Sequence, residues 1–308
     1  MSAPPRELLV SADDAGTRLD AFVSARAGMS RAAAAKLIAA GSVLVDGRAA
    51  TKSLRVEDAM RVSVSIPEHE SAVPQAEEIP VRVVFEDEHL LVVSKPAGLV
   101  VHPAPGHSSG TLVNALLARA GGAPAGGDAE RPGIVHRLDA GTSGLMIVAK
   151  DEATHAALTD ALAARAVTRV YLALVEGIPD TATTTIDAPI GRSTRDRKKM
   201  AVVAGGRSAV TEITVLERLP DTALVEARPI TGRTHQIRVH LKAAGHPVVG
   251  DRVYGPNRKL AAALGLDRPF LHAARLSFEH PSTGALIELD DPLPQDLAAA
   301  LEAARTRS

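Results

Sequence analysis

Hydrophobic and polar residues alternate in short runs along this chain, and the continuous apolar runs are brief. Asp20 to about Ala27 predicts a short helix, and Ser30 is a good N-cap for RAAAAKLIAA, which Gly41 stops. SVLVDG then reads as a strand entering a tight turn at Asp46 and Gly47, and MRVSVSIP at 60–67 alternates as another. These elements predict a small module over residues 15–67. The polar, acidic stretch EHESAVPQAEEI at 68–79 reads as a linker. Beyond it, VRVVFEDEHLLVVSKPAG predicts two strands around a turn at EDEH, and SSGTLVNALLARA predicts a helix ending in a loose loop, GGAPAGGDAERPG. GLMIVAK reads as a core strand and DEATHAALTDALAARAV as a helix. VYLALVEG, SAVTEITVLERL, TALVEARPI, PFLHAARLSFEHP and ALIELDDPLP add strands, THQIRVHLKAAG supplies further strand and helix signal, and 294–304 reads as a helical tail. Strands outnumber helices and no β-α-β rhythm emerges, so residues 80–308 are read as one mixed α+β domain rather than a doubly wound parallel sheet.

Composition narrows the function classes. The 308 residues hold no apolar run near the ~18 that a membrane helix needs. MSAPPRELLV lacks the basic start and apolar stretch of a secretion signal, so a cytoplasmic location is expected. With no cysteine, disulfides, thiolate catalysis and cysteine zinc sites are excluded, while carboxylate, serine, histidine and acid-base chemistry stay open. A net charge of −1 argues against a protein that coats nucleic acid, and four Phe, two Tyr and no Trp argue against a platform that stacks many bases. A local basic patch remains compatible with neutrality. Arg26, Arg31, Lys36, Arg48, Lys52 and Arg55 can form a phosphate-facing surface on the first module, or simply a solvated face. In GRSTRDRKKMAVVAGGR at 191–207, six basic residues accompany one acid. The segment suits a mobile hairpin reaching over a polyanion, with Arg192, Arg195, Arg197, Lys198 and Lys199 as its contacts; an ordinary solvated loop has the same composition.

Three clusters can carry chemistry. In RPGIVHRLDAGTSG, Arg137 and Asp139 lie two apart, so on an extended backbone they point the same way. Asp139 is then either the neutralising partner of Arg137 or a reactive carboxylate at the mouth of a sheet. In THQIRVH, strand alternation places Thr234, Gln236 and Arg238 on one side and His235, Ile237 and Val239 on the other, and Arg238 can meet a carboxylate beside a pocket. His235, His240 and His246 lack the HExxH spacing and a completing carboxylate, so no metal site is expected. Tyr171, in VTRVYLALVEG, is either a core residue or a ring offered to a base.

Taken together, HRLD at 136–139 with TSG at 142–144, RVYLALVEG, TGRTHQIRVH and HPVVGDRVYG resemble the RluA/RluD family of RNA pseudouridine synthases, over about residues 80–292. TRLDAFVSARAGMSRAAAAKLIAAGSVLVDG resembles the S4 RNA-binding domain that often precedes that catalytic domain. The resemblance implies an α+β catalytic domain with a mixed, mainly antiparallel sheet, preceded by a small α/β S4-like domain. It further implies that Asp139 is the nucleophile, that Arg238 pairs with it, that Tyr171 packs against the target base, and that Arg137 serves the flipped-out nucleotide or its phosphates. Arg233 falls in the TGRTHQIR motif and is grouped with the RNA contacts. One departure is visible: Ala140 and Gly141 stand where many members have a basic and an acidic residue. The glycines beside Asp139 are expected to form a tight turn that lets a nucleotide approach.

The implied reaction isomerises uridine to pseudouridine within structured RNA and needs no cofactor and no metal. Large-subunit (23S) ribosomal RNA, as for the RluD-like subtype, is the expected partner, with a monomeric protein and no membrane association. The alternatives are a related synthase for another ribosomal or transfer RNA site, a noncatalytic RNA-binding or ribosome assembly protein, and a nucleoside hydrolase.

Overall fold

The computed structural model describes residues 5–65, 74–102, 109–119, 133–196, 199–255 and 257–307. The chain divides into two units, Met1–Ala72 and Val73–Ser308. The first contains β1 (Arg6–Leu9), α1 (Leu19–Ala27), α2 (Arg31–Ala39), β2 (Val43–Val45), β3 (Arg48–Ala49) and β4 (Arg61–Val64). Ser30 caps α2 by accepting the Ala33 N–H at 3.2 Å, and Gly41 follows it at φ +75°. Asp46 and Gly47, both at positive φ, close the β2–β3 hairpin, as a two-residue primed turn requires. The sheet runs β1-β4-β2-β3. Leu19, Phe22 and Val23 of α1 and Ile38 of α2 pack against Val43, Val62 and Val64. Truncating a ring buried like Phe22 to alanine costs ~3–5 kcal/mol, a large share of what so small a core provides. β1 lies ahead of residue 15, where the sequence reading starts this module; it is an edge strand with three of four residues exposed, so it carries no period-2 signal.

The second unit holds β5 (Arg82–Glu86), β6 (Leu90–Lys95), α3 (Leu112–Arg119), β7 (Ser143–Ala149), α4 (Glu152–Ala163) and β8 (Thr168–Glu176). Next come β9 (Thr183–Asp187), β10 (Ile190–Arg192), β11 (Met200–Val202), β12 (Val210–Arg218) and β13 (Thr222–Pro229). α5 (Gln236–Ala243), α6 (Arg258–Ala263), β14 (Leu271–Glu279), β15 (Leu286–Asp290) and α7 (Gln295–Arg305) complete it. Eight strands run β5-β6-β7-β14-β8-β13-β12-β9, and β15 pairs with β14. Only the β7–β14 pairing is parallel, so the sheet is mixed and mainly antiparallel, as expected. Residues 74–79, the described end of the predicted linker, hold to this unit: the Glu77 N–H donates to the Asn114 carbonyl at 3.0 Å. The predicted loop GGAPAGGDAERPG begins at Gly121 and lies outside the described residues apart from Gly133.

β7 shows how the sequence pattern becomes two layers. All seven of its residues are buried, and alternation sends Met146 and Val148 to one face and Leu145, Ile147 and Ala149 to the other. The first face joins Tyr171, Ala173 and Val225 with Ile237 and Leu241 of α5; the second meets Leu158 of α4 and Phe278. Tyr171 and the start of α5, which carry candidate residues from the sequence, lie on the first face. There the structure corrects the strand reading of THQIRVH: from Gln236 onward it is helix. Ile237 and Leu241, four apart, both face the core, and this helical period overrides an alternation too short to decide between the two. Thr234, Gln236 and Arg238 therefore do not share a strand face.

Candidate active site

Asp139 sits in the loop that leads into β7. The Thr142 N–H donates to the Asp139 carbonyl at 3.0 Å, forming the expected turn. Lys95, fully buried at the end of β6, anchors the same loop from beneath: its ammonium donates to the carbonyls of Pro96 and Leu99 at 2.9 Å each and of Ala140 at 3.3 Å. Burial pushes this amine down to about 7, while the nearby Asp139 carboxylate favours its charged form. His136 fixes the other side by accepting the Ile147 N–H on Nε2 at 3.0 Å, and burial pushes its imidazole down to about 3. Gly144, at φ +115°, packs against β14, where an added Cβ would lie 2.3 Å from the Ala273 carbonyl oxygen. Gly144 thus serves the close approach of two strands.

The partner of Asp139 is Arg238, on the first turn of α5. Its Nη1 donates to Asp139 Oδ2 at 2.9 Å. Its Nε and Nη2 donate to Asp251 Oδ2 and Oδ1 at 2.6 and 2.9 Å, a bidentate fork. Asp251 Oδ1 also accepts the N–H groups of Val253 and Tyr254 at 2.9 and 3.1 Å. Burial alone would raise the Asp251 carboxyl, but these bonds hold it below the ordinary carboxylate range. Burial opposes the charge on Arg238 too, and the two aspartates outweigh it, holding the guanidinium above its usual value. The Tyr254 ring adds a cation-π contact, its centroid 5.0 Å from Arg238 Cζ. Arg137 is exposed and makes no ion pair with Asp139 among the described residues, so the neutralising pair considered from the sequence is not formed.

A cavity of about 430 Å³ opens over this pair, a volume suited to a small ligand. Asp139, Arg238, Arg137, Tyr171, Arg169 and Arg233 contribute to its wall. Tyr171 stands on central strand β8 between β13 and β14 and is 7% exposed. Burial raises its phenol above the ordinary value. Arg233 donates from Nε to the Ser208 carbonyl at 3.0 Å.

The other predicted RNA contacts are scattered. β10 and β11 pair as a hairpin. It presents exposed Arg192 and Arg195 and a Lys199 that lies 3.7 Å from Asp196, whereas Arg197 and Lys198 lie outside the described residues. In the first unit Lys36 and Arg48 are exposed and make no ion pair among the described residues. Arg31 pairs with Asp20 at 3.2 Å, Arg26 pairs with Asp14 at 2.6 Å, and Arg55 donates to the Gly16 carbonyl at 2.6 Å. These three are engaged within the protein. His240 bonds to Thr211 and the Ala188 carbonyl, and His246 to the Glu176 carbonyl. Among the described residues no three His, Asp or Glu side chains group as metal ligands, and no helix is long and apolar enough to cross a membrane.

Sequence reasoning missed Asp251 and Tyr254. Asp251 was detectable as an Asx turn, an aspartate whose carboxylate takes N–H groups two and three residues on. Tyr254 had no such signal.

The RNA pseudouridylate synthase family model matches residues 89–243, and the S4 domain model matches 17–62. The chain belongs to the RNA pseudouridine synthase family. A Bacillus subtilis protein described as the uncharacterized RNA pseudouridine synthase YlyB is 42% identical over 96% of this chain and 97% of its own length. Ribosomal large subunit pseudouridine synthase D of Zymomonas mobilis is 42% identical over 96% of each chain. Among solved structures, human RNA Pseudouridylate Synthase Domain Containing 1 superposes with a TM-score of 0.57 at 28% identity, over 75% of this chain and 97% of its own.

Proposed function

We propose that this enzyme, an RNA pseudouridine synthase, modifies uridines of large-subunit (23S) ribosomal RNA with Asp139 as its nucleophile. The observation that carries the site assignment is the 2.9 Å bond from Arg238 to Asp139 at a cavity that Tyr171 also lines. The target assignment is supported by relatives named ribosomal large subunit pseudouridine synthase D in two bacteria, each 42% identical to this chain.

The reaction breaks the bond from ribose C1′ to uracil N1 and makes one from C1′ to C5; the proton on C5 is lost and N1 gains one, so no atom is gained or lost overall. The Asp139 carboxylate promotes departure of the base, by attack on carbon or by stabilising positive charge on the sugar. Arg238 holds one carboxylate oxygen in place, which removes an orientational cost from the reacting state. Tyr171 packs against the uracil, retaining it while it turns. Flipping the uridine out of its stack costs a few kcal/mol, which phosphate contacts from Arg137, Arg233 and the β10–β11 hairpin offset. Lys36, Arg48 and, on release from Asp20, Arg31 supply a second phosphate-reading surface in the S4 domain. The protein acts as a monomer in the cytoplasm.

The test is incubation of the protein and of Asp139→Asn with total RNA from cells lacking the gene, followed by pseudouridine mapping and an assay for free uracil. The expected result is new pseudouridine in 23S RNA with the unaltered protein and none with the variant, although the variant still binds RNA. Modification confined to transfer RNA would overturn the target. Release of uracil, or full activity of Asp139→Asn, would overturn the assignment of the chemistry.

A further inference from the structure

His235 occupies the N-cap position of α5 in the left-handed region, φ 58° and ψ 21°, and its side chain caps nothing. This region is uncommon for a non-glycine residue, although Asn, Asp and His are enriched in it. A helix cap is therefore not what the side chain provides. Its Nδ1 lies 2.8 Å from the Tyr254 hydroxyl, and its Nε2 lies 3.8 Å from Asp139 Oδ1.

The Tyr254 hydroxyl bears on which ring nitrogen carries the proton. Its oxygen accepts the Met200 N–H at 3.0 Å, and a backbone N–H can only donate. The phenol proton is then available to His235 Nδ1, which accepts it in the Nε2–H tautomer. Burial lowers the imidazole below its ordinary value against the opposing pull of Asp139, and in the neutral ring that donates nothing to Tyr254 the one proton lies on Nε2, facing Asp139. The Asp139 carboxylate favours the same tautomer from the other side. The chain of contacts thus runs from the first residue of β11, in the basic hairpin, through Tyr254 and His235 to the carboxylate.

We propose that His235 is a positioning residue for Asp139, its Nε2–H tautomer imposed by Tyr254, so that Arg238 and His235 steer one carboxylate oxygen each. This rests on the reading of Asp139 as the nucleophile. A neutral N–H orients a carboxylate without cancelling the charge the reaction uses, and a wrong tautomer would turn a lone pair toward Oδ1 instead.

Glutamine and asparagine separate this role from a backbone one. The amide nitrogen of Gln falls near the Nε2 position and that of Asn near Nδ1. His235→Gln should therefore retain kcat within roughly fivefold and His235→Asn should lose roughly fiftyfold, with RNA affinity nearly unchanged in both. A merely structural role predicts the reverse, because Asn suits the left-handed backbone better. Tyr254→Phe should lower kcat roughly tenfold at constant KM. Nitrogen-15 NMR of the histidine ring in the unaltered protein should find Nε2 protonated and Nδ1 bare, a readout that needs neither a variant nor turnover. A proton on Nδ1, or Asn equal to or better than Gln, overturns the proposal while Asp139→Asn remains inactive. Full activity of Asp139→Asn would instead overturn the nucleophile reading and this proposal with it.

Discussion

Asp251 does not line the cavity, yet replacing it with asparagine should disable the site. The fork on Arg238 uses both oxygens of Asp251, and the side chain of Asp251 is fully buried. In Asp251→Asn the new side chain can keep its oxygen where Oδ1 now accepts Val253, Tyr254 and Arg238 Nη2. Its amide nitrogen would then face Arg238 Nε, two donors opposed where a 2.6 Å bond now stands. Removing one partner of a buried ion pair costs ~3–5 kcal/mol. Asparagine keeps the oxygen that Nη2 bonds, and a charge-assisted bond is worth ~1.5–3 kcal/mol, which lowers the loss to about 1.5–2 kcal/mol. Once the fork is broken the guanidinium turns, and Nη1 leaves Asp139. Losing ~1.4–2.8 kcal/mol of transition-state stabilisation slows turnover about 10- to 100-fold. Denaturant unfolding gives the first quantity and single-turnover pseudouridine formation the second, with filter binding to show that RNA affinity holds. A variant with an unchanged midpoint and a rate within twofold would refute the claim that Asp251 aims Arg238.

Three further outcomes follow from the same geometry. Gly144→Ala should cost more than ~3 kcal/mol in a denaturant titration, because its Cβ would meet the Ala273 backbone on a second strand at a positive φ; a loss under ~1 kcal/mol would show that β7 and β14 can part freely. His136 is held neutral down to about pH 3 while the unfolded ring binds a proton near 6.5, so the unfolded state carries the extra proton between these values and stability falls as pH drops through that window. His272, pushed down to about 4, acts with the same sign, so His136→Gln should remove part of the acid slope, up to ~1.4 kcal/mol per pH unit, and an unaltered slope would refute the assignment. Arg195→Ala and Lys36→Ala, both at exposed cations, should each make the salt dependence of RNA binding shallower by ~0.7–0.9 in log-log slope while leaving single-turnover rates at saturating RNA unchanged.

The sequence was legible where one physical period dominated. β7 was readable because its apolar run is bounded by a glycine-containing turn, and α2 because Ser30 and Gly41 mark its ends. α5 was misread because HQIRVH satisfies period 2 over six residues; only Leu241, one step beyond, makes Ile237 a member of an i, i+4 pair. The Arg238–Asp139 pair survives that correction. Arg238 meets Asp139 from a helix, and a second anion fixes its fork; neither contact depends on strand geometry. β9 and β1 gave no signal because mostly exposed edge strands need no apolar face.

The residues that were missed share one property: each acts through another residue rather than on a ligand. Asp251 serves Arg238, Tyr254 serves His235, and Lys95 ties down the carbonyl of Ala140, the residue after Asp139. Their partners lie 13, 19 and 45 residues away, so no local period or spacing relates them. Burial makes them expensive to leave unpaired, and that cost is what keeps the carboxylate aimed. A turn on the surface could hold Asp139 in any of several rotamers. Here Arg238, buried and itself held by Asp251, bonds one Asp139 oxygen, and the buried Lys95 secures the carbonyl of the next residue in the loop.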